Sequence, residues 1–272
     1  MQKSDRMRPE ERAGESKVKL RVEDISCSLD RKLIIDGICT EIERGSFVGL
    51  VGPNGCGKST LLKNIYQVLK ADKGVIYLDG HRIDRMSGRQ RARHMAVMQQ
   101  ENQISFDLTV YEMVLLGRFS HQKALSGSSE RDRKVVMDCL AEVGLTGYEK
   151  RHFLSLSGGE KQRALVARAL AQEASFIILD EPINHLDIGY QYQIMKILKR
   201  QKLTVLSSIH DLNIAGTYCD RILLMKEGRL LAAGSPEEIL VPERIRDLFG
   251  IGCKIIKNEQ TGRNNILYLP DL

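Results

Sequence analysis

The sequence predicts an α/β protein with a parallel sheet at its core, and two apolar runs and one change of hydrophobic period carry this prediction. The runs at 47–51 and 176–179 are short and continuous, as in strands that are buried on both faces. After a glycine-rich turn, the apolar residues between Leu61 and Leu69 recur at helical spacing. Buried strands separated by helices are typical of parallel sheets, and a third such strand is expected at 204–207.

The segments around this core predict two further regions. Near the N-terminus, short alternating segments at 19–22, 33–35 and 38–42 are separated by charged or glycine-containing turns. In the middle of the chain the apolar residues recur mainly at helical spacing, above all at 110–116 and 131–143. We therefore expect an N-terminal antiparallel β subdomain and a helical insertion in the α/β core.

Changes in charge and hydrophobic pattern along the chain predict its domain organisation. Residues 1–17 contain nine charged side chains and no apolar stretch, which predicts a disordered leader rather than a secretory signal. Residues 18–245 are expected to form one domain, with a helical subdomain at about 101–160. Residues 246–272 form a C-terminal tail of mixed pattern.

Composition excludes several classes of protein. The 272 residues contain no run near the roughly 18 apolar residues that a membrane span needs. The six cysteines form no C-x-x-C pair, so neither a zinc site nor a redox dithiol is predicted, and a reducing, intracellular setting fits best. The net charge of +6 permits acidic partners without choosing among them.

One segment between a predicted strand and a predicted helix matches the pattern G-x-x-x-x-G-K-[ST] of a phosphate-binding loop. Its residues are Gly52, Pro53, Asn54, Gly55, Cys56, Gly57, Lys58 and Ser59, followed by Thr60. Glycines let backbone N–H groups converge on phosphate oxygens, while Lys58 supplies a cation and Ser59 a hydroxyl for Mg²⁺. The alternative is an accidental glycine-rich turn, which the position between strand and helix disfavours.

Two carboxylates follow the apolar run at 176–179. Asp180 is placed to hold Mg²⁺, and Glu181 is placed to polarise an attacking water as a general base. The alternative is that Asp180 and Glu181 merely end a strand. A phosphate loop requires such a carboxylate on a neighbouring strand, and the two motifs together therefore favour the catalytic interpretation.

A second helix start has the features of an anion-binding terminus. Its residues are Leu156, Ser157, Gly158, Gly159 and Glu160. Ser157 and Glu160 have the spacing of a capping box, so a plain, well-capped helix explains this segment by itself. The two glycines nevertheless expose backbone N–H groups that a phosphate could approach closely.

Taken in order, the segments 52–60, 156–163, 177–182 and 184–187 resemble the ATPases of ABC transporters. The resemblance covers about 18–240. It implies a P-loop NTPase cassette that uses ATP and Mg²⁺. It also implies a homodimer in which each ATP lies between the phosphate loop of one copy and the segment beginning at Leu156 in the other.

The resemblance also assigns individual roles. Glu181, His210 and Gln100 are implied to be catalytic, and Ser59, Asp180 and Gln100 are implied to hold the metal ion. Asp187 is implied to couple the two sites of the dimer, and Gln99 is the alternative to Gln100. Leu29 stands where an aromatic residue usually stacks on adenine, and Ile183 replaces a frequent threonine, a change expected to be neutral.

Cys56 lies inside the phosphate loop at a helix N-terminus, a position that favours a thiolate. We expect from the sequence that maleimide modifies Cys56 and inactivates the enzyme, with ATP protecting it.

Three classes of protein share this ATPase. Chromosome and repair ATPases place long coiled coils between the two nucleotide motifs, whereas 99 residues without heptads separate Lys58 from Ser157. Translation factors join two cassettes in one chain, whereas this chain has one.

An arginine cluster could point to nucleic acid, but it lacks aromatic residues and is expected to be a solvated helix face. Its members are Arg82, Arg85, Arg89, Arg91 and Arg93. No nucleic-acid partner is expected.

The third class is a transport motor. The segments 109–118, 210–215 and 219–221 resemble the branch of importers for iron-siderophores, haem and cobalamin. This resemblance implies a peripheral subunit on the cytoplasmic face of the membrane that docks on integral-membrane permeases through a surface within 106–119. It implies an extracytoplasmic solute-binding protein as an indirect partner. An exporter motor, or an importer for a metal ion or phosphonate, is the alternative.

Overall fold

The computed structural model describes residues 17–99, 107–122, 128–184, 186–259 and 262–269. The strands are β1 (Val18–Leu29), β2 (Lys32–Glu43), β3 (Phe47–Val51), β4 (Lys73–Leu78), β5 (His81–Arg82), β6 (Met95–Met98), β7 (Phe176–Leu179), β8 (Thr204–Ser208), β9 (Arg221–Lys226), β10 (Arg229–Gly234), β11 (Gly252–Lys257) and β12 (Asn264–Leu269). The α-helices are α1 (Lys58–Ile65), α2 (Gly88–His94), α3 (Val110–Leu115), α4 (Glu130–Glu142), α5 (Gly158–Ala171), α6 (Ile188–Arg200), α7 (Leu212–Tyr218), α8 (Pro236–Ile239) and α9 (Pro242–Phe249). The predicted leader up to residue 16 and Gln100 lie outside the described residues.

A six-stranded sheet forms the core, in the order β10-β9-β3-β8-β7-β6. The pairs β3–β8, β3–β9, β7–β8 and β6–β7 are parallel, and β10 pairs with β9 in antiparallel orientation. The parallel-sheet prediction is confirmed, including the strands at 47–51 and 176–179. The third predicted strand extends one residue further, to Ser208.

A second sheet of four strands has the order β2-β1-β4-β5, and all of its pairs are antiparallel. The sequence predicted three short segments here, but the structure joins two of them into the single strand β2. The apparent turn between them is an irregularity inside a continuous ladder, in which Ile35 pairs with Cys27 and Ile38 with Ile25. Gly37 adopts a φ of +62°, and its N–H donates to Ser26 Oγ at 3.0 Å.

Side chains alternate between the two faces of the six-stranded sheet, and each face has its own apolar core. Phe47 and Val51 of β3 pack with the buried residues of α3 to α9. Val48 and Leu50, on the opposite face, pack with α1 and the antiparallel sheet. Helices α1 and α5, which follow the two predicted anion-binding motifs, therefore belong to different layers.

The predicted helices at 110–116 and 131–143 correspond to α3 and α4, and each begins with a capping box. Both helices pack on α5. Between them, the 3₁₀ helix Leu116–Ser120 is held by Arg118, which is 1% exposed. Its guanidinium donates to Asp132, to the carbonyl of Ala171 and to Glu173. The helical insertion is thereby fixed to the end of α5.

Three members of the arginine cluster lie on the exposed helix α2 and also bond to neighbouring carbonyls. Arg89 and Arg93 of α2 both donate to the carbonyl of Ser120, at 3.2 and 3.3 Å. Arg91 donates to the carbonyl of Met86. Helix α2 has no buried residue and Arg89 and Arg93 are exposed, in agreement with the expected solvated face. The sequence did not predict the additional bonds from these side chains to neutral carbonyls.

The C-terminal segment packs on the core. Helix α9 spans the expected boundary between residues 245 and 246. Strands β11 and β12 form a hairpin whose Cys253 and Ile266 are buried in the main apolar core. Asn213 of α7 donates to the carbonyl of Ile266 at 3.2 Å and accepts from its N–H at 2.6 Å. Among the helices described, none has the length and apolar character needed to cross a membrane.

Candidate nucleotide-binding and catalytic site

The phosphate loop joins the carboxyl end of β3 to α1, as the sequence predicted. Gly55 and Gly57 have φ values of +77° and +102°, a region of backbone conformation that favours glycine. A Cβ at Gly52 would lie 2.3 Å from the carbonyl oxygen of Met225, and one at Gly57 would lie 2.7 Å from Ile35 Cγ2. The glycines are therefore required by both backbone conformation and space.

The Lys58 ammonium lies inside this loop. Its Nζ donates to the carbonyl oxygens of Gly52 and Pro53 at 2.8 and 3.0 Å, and it contacts Cys56 Sγ at 3.9 Å. An ammonium has three donors, and the long contact to sulfur is the weakest of these three. A phosphate oxygen could replace that contact while the two carbonyls continue to hold the lysine in place.

A carboxylate and two hydroxyls meet at the carboxyl ends of β7 and β8. Asp180 is buried, and its Oδ1 accepts from Ser59 Oγ at 3.3 Å and from Ser208 Oγ at 2.8 Å. The Ser208 hydroxyl in turn accepts the backbone N–H of Glu181 at 2.7 Å. Ser208 thus orients both acidic residues. The sequence assigns no role to Ser208, although its position at the end of a buried strand is a usable signal.

Glu181 is held at both carboxylate oxygens. Its Oε1 lies 2.6 Å from His210 Nε2, and Asn184 Nδ2 donates to its Oε2. Its φ of +53° is uncommon for a residue other than glycine and costs about 1–3 kcal/mol. Strain of this kind is kept where the surrounding structure imposes it, often at functional sites. In the sequence, Asn184 is identifiable only as part of the segment 184–187, and that segment does not predict this contact.

The second predicted anion terminus is a capping box in the structure. Ser157 is the N-cap of α5, and its Oγ accepts the N–H of Glu160 at 3.4 Å. Glu160 Oε2 accepts both the N–H and the hydroxyl of Ser157 at 2.8 Å, and these bonds hold the pKa of Glu160 below its usual value. The cap occupies the serine hydroxyl. The groups available to a ligand are thus the backbone N–H groups of Gly158 and Gly159.

Gly159 also contacts the start of the next helix. A Cβ at Gly159 would lie 3.3 Å from Tyr190 Cδ2, so the tyrosine ring covers one side of the glycine. Gly158 has open space where a Cβ would lie. Leu156 is buried beneath the helix start. The exposed part of this terminus is therefore narrow and formed by backbone.

A family model described as ABC transporter matches residues 35–184. The chain belongs to the ABC transporter family. Its ATP-binding cassette is an ATPase, as the homologous cassettes are, and the predicted fold class is confirmed.

Several curated relatives align with most of this cassette. The iron(3+)-hydroxamate import ATP-binding protein FhuC of Bacillus subtilis is 34% identical, with 90% of this chain and 92% of the relative covered. The petrobactin import ATP-binding protein FpuC of Bacillus anthracis is 40% identical, covering 80% and 82%. The hemin import ATP-binding protein HmuV of Pseudomonas aeruginosa is 37% identical, covering 89% and 97%.

Solved structures agree with this assignment. A chain of an ABC transporter assigned to the metal-chelate type, in an inward-facing conformation, superposes with a TM-score of 0.81 at 26% identity. The alignment covers 93% of this cassette and 98% of that chain. The ATP-binding cassette MJ0796, solved as a dimer with ADP and Pi, superposes with a TM-score of 0.71 at 29% identity, covering 80% and 98%.

The expectation that Cys56 of the cassette is a reactive thiolate is wrong. The side chain is 4% exposed, and burial raises the pKa of its thiol although Lys58 acts in the opposite direction. Withdrawing the sulfur from water disfavours the charged form more than the nearby helix start and ammonium favour it.

The remaining predicted residues are placed as follows. Asp187 is the N-cap of α6 and is exposed, without a side-chain bond to the helix. Leu29 lies at the end of β1 and is partly exposed, and Ile183 is buried. Gln100 lies outside the described residues. Gln99, the alternative to it, directly follows the last residue of β6.

The residues around Asp180 have the donor chemistry that Mg²⁺ prefers. A buried carboxylate and the Ser59 hydroxyl point to each other across 3.3 Å, and both are hard oxygen donors. Within the described residues, no cluster of three or more His, Cys, Asp or Glu side chains could form a metal cage. Such a sparse protein ligand set suits Mg²⁺ bound together with substrate phosphates.

Proposed function

We propose that this cassette is the ATP-hydrolysing motor of an importer for an iron-siderophore, haem or cobalamin. The observation that carries the hydrolytic part is the chain of bonds from Ser59 through Asp180 and Ser208 to Glu181 and His210 beside the phosphate loop. The import part rests on relatives named for iron(3+)-hydroxamate, petrobactin and hemin import.

In this proposal, Glu181 is the general base for the water that attacks the γ-phosphate. The contacts with His210 and Asn184 fix the position of its carboxylate, so little reorganisation is needed when the proton is transferred. Lys58 places its positive charge where the phosphates bind. Mg²⁺, held by Ser59 and Asp180 and in our expectation by Gln100, would neutralise charge on the β- and γ-phosphates.

The active form in this proposal is a homodimer with a head-to-tail arrangement. Helices α1 and α5 pack in different layers of one cassette, so a partner copy is the natural source of a second anion-binding helix start. The N–H groups of Gly158 and Gly159 would then contact the nucleotide held by the other copy. Asp187, close in sequence to Tyr190 and its contact with Gly159, would couple the two sites.

The proposed docking surface for the permease includes the 3₁₀ helix Leu116–Ser120. Phe119 is 77% exposed and Leu116 is also exposed, whereas Arg118 between them is buried. This arrangement presents two apolar side chains on a rigidly anchored segment, which suits burial against a partner. In this proposal the cassette docks on the permease at the cytoplasmic face of the membrane, the solute-binding protein is an indirect partner, and no nucleic acid is involved.

The test is copurification and transport-coupled hydrolysis. The cassette is coexpressed with a candidate permease and extracted from membranes. ATP hydrolysis by the reconstituted complex is then measured with a ferric hydroxamate, haemin or cobalamin, each with its solute-binding protein. We expect one of these solutes to stimulate hydrolysis. Stimulation only from the cytoplasmic side, or only by a metal ion or phosphonate, would favour the alternative of an exporter or a different importer.

A paired substitution tests the docking surface. Phe119→Ser should abolish copurification with the permease and leave ATP binding unchanged. The matched control is Leu231→Ser, since Leu231 is also exposed but lies on β10. Retention of the permease by the Phe119→Ser cassette, or equal loss in both variants, would contradict this surface.

A further inference from the structure

A cavity of about 800 Å³ lies between the antiparallel sheet and α2. Its lining includes Arg44, Tyr77, Asp79, Arg82, Arg85 and His94. His94 directly precedes β6, and Ser175, also in the lining, directly precedes β7. The cavity is thus at the amino ends of these parallel strands, whereas the phosphate loop and Asp180 follow carboxyl ends. The two sites lie at opposite edges of the same sheet.

The carboxylate in this cavity is already neutralised by its neighbours. Asp79 Oδ2 lies 2.6 Å from the ammonium of Lys19 and 3.0 Å from His94 Nδ1, and Asp79 Oδ1 lies 2.6 Å from Arg44. Lys19 is 1% exposed and also donates to Ser175 Oγ at 2.7 Å. Burial by itself would raise the pKa of Asp79, but Lys19 and Arg44 outweigh it and hold that pKa below its usual value. Asp79 therefore cannot offset further positive charge.

The cavity also contains positive charge beyond these pairs. Arg82 lies against Asp84, with Nη2 at 2.8 Å from Oδ2, and Arg85 is exposed. The lining itself contains three arginines, Arg44, Arg82 and Arg85, and one carboxylate, that of Asp79. When the neighbouring Lys19 and Asp84 are included, four cationic side chains accompany two carboxylates. A concave site with such an excess of cations attracts anions.

We propose that this cavity binds a small anion that carries two or more phosphate or carboxylate groups. Arginine presents a planar fork of donors that matches both kinds of oxyanion, and Arg82 and Arg85 both line the cavity. Nε and Nη2 of Arg82 already donate to Asp84, so Arg82 would offer its Nη1 to a ligand while Arg85 would offer its fork. Its volume is within the range of small-molecule sites. A concave site of this size favours a small molecule over a nucleic acid, and the Tyr77 ring supplies an apolar wall.

Binding is measured by isothermal titration calorimetry on the whole chain at low ionic strength. Tripolyphosphate and citrate are the probes, because they separate a preference for phosphate from one for carboxylate. The Lys58→Ala substitution is present throughout, so that tripolyphosphate does not report on the phosphate loop. We expect one site, occupied more tightly by one of the two probes.

Two double variants locate the site. Arg82→Gln with Arg85→Gln should weaken binding at least about tenfold. Lys196→Gln with Arg200→Gln removes the same charge from the exposed face of α6 and should change affinity less than about twofold. Arg82→Lys with Arg85→Lys keeps the charge without the forked donors, and an intermediate affinity is expected. Thermal melting confirms that each variant is folded.

Three results would overturn the proposal. The first is an absence of binding by both probes. The second is equal weakening by the two glutamine variants, which would indicate attraction by net charge alone. The third is a single-stranded oligonucleotide that binds more tightly than either probe and loses affinity in the Arg82→Gln and Arg85→Gln variant, because this cavity would then be part of a nucleic-acid surface.

Discussion

At the scale of single residues, Glu181 combines an uncommon backbone conformation with bonds to both of its carboxylate oxygens. Glu181→Gln keeps the shape but removes the base. We expect kcat for ATP hydrolysis to fall at least about 100-fold while the Kd for ATP stays unchanged. Steady-state hydrolysis and equilibrium nucleotide binding provide these two values.

The matched control for that substitution is Glu227→Gln. Glu227 is exposed and has a similar φ of +47°, so the same chemical change is made on a similar backbone. Its hydrolysis should equal that of the unmodified cassette. Undiminished turnover by Glu181→Gln would show that another group acts as the base.

The cysteines allow a second prediction at this scale. Cys39 is exposed, whereas Cys56 is buried and burial raises its pKa. Maleimide should modify Cys39 first in the folded cassette, and the Cys39→Ser variant should keep its ATPase activity under the same treatment. Peptide mass spectrometry after timed labelling gives the rates. Modification of Cys56 as fast as Cys39, with loss of activity, would contradict the structure and support the expectation from sequence.

Some of these residues could be predicted from the sequence and others could not. Lys58, Asp180 and Glu181 belong to motifs whose spacing states their chemistry. Ser208 and Asn184 are common polar residues, and their roles depend on bonds between different strand ends. The error at Cys56 arose because a helix N-terminus can be seen in a sequence but the burial of a side chain cannot.

At the scale of elements, Arg118 joins the 3₁₀ helix, α4 and the end of α5. Arg118→Ala would leave the buried Asp132 carboxylate without its cationic partner. We expect the free energy of unfolding to fall by about 3 kcal/mol. Urea denaturation measures this change, with Arg133→Ala on the exposed face of α4 as the control. A loss below about 1 kcal/mol would mean that this network does not anchor the insertion.

The ion pair of Arg118 and Asp132 also predicts that the free energy of unfolding depends on pH. Burial alone would raise the pKa of Asp132, but Arg118 and Ser129 outweigh it and lower the pKa to about 2. The stabilisation is complete above the unfolded pKa of about 4 and is lost as pH falls toward 2. Arg118→Ala should therefore lose less stability over this interval than the unmodified cassette. Equal losses of stability in the variant and the unmodified cassette would show that this ion pair does not cause the dependence on pH.

The C-terminal hairpin depends on Asn213, which bonds twice to the backbone of Ile266. Asn213→Ala leaves the N–H of Ile266 without its acceptor and should lower the free energy of unfolding by about 1–3 kcal/mol. Asn213→Asp keeps the acceptor and should cost less. Urea denaturation compares the two, and equal costs would show that the acceptor is unimportant.

The sequence predicted the central strands and helices better than the connections between them. Continuous apolar runs identify β3 and β7 because such strands are buried on both faces. The sequence could not distinguish the irregularity at Gly37 from a turn, because glycine beside charged residues is found in both. The packing of the hairpin could not be predicted, because its strand β12 contacts α7, which is distant in sequence, in addition to the contact of β11 with the neighbouring α9.

At the scale of the whole molecule, two sites lie at opposite edges of one sheet. The sequence could predict that the nucleotide motifs lie close together, because each follows a parallel strand and the carboxyl ends of parallel strands lie at the same edge of the sheet. The arginine-lined cavity could not, since Arg44, Asp79, His94 and Ser175 are brought together only by the packing of the antiparallel sheet on the core.

The proposed mechanism requires two copies that enclose nucleotide between the phosphate loop of one and the start of α5 in the other. Asn54→Cys and Ser155→Cys, placed in separate chains that carry Cys39→Ser and Glu181→Gln, are mixed and treated with a short bifunctional maleimide. Both positions are exposed. A control pairs Asn54→Cys with Arg200→Cys, which lies at the far end of α6.

We predict that ATP with Mg²⁺ produces a crosslinked dimer from the first pair and that the control pair stays monomeric. A first pair that stays monomeric with saturating ATP, or that crosslinks no more than the control, would contradict the head-to-tail dimer.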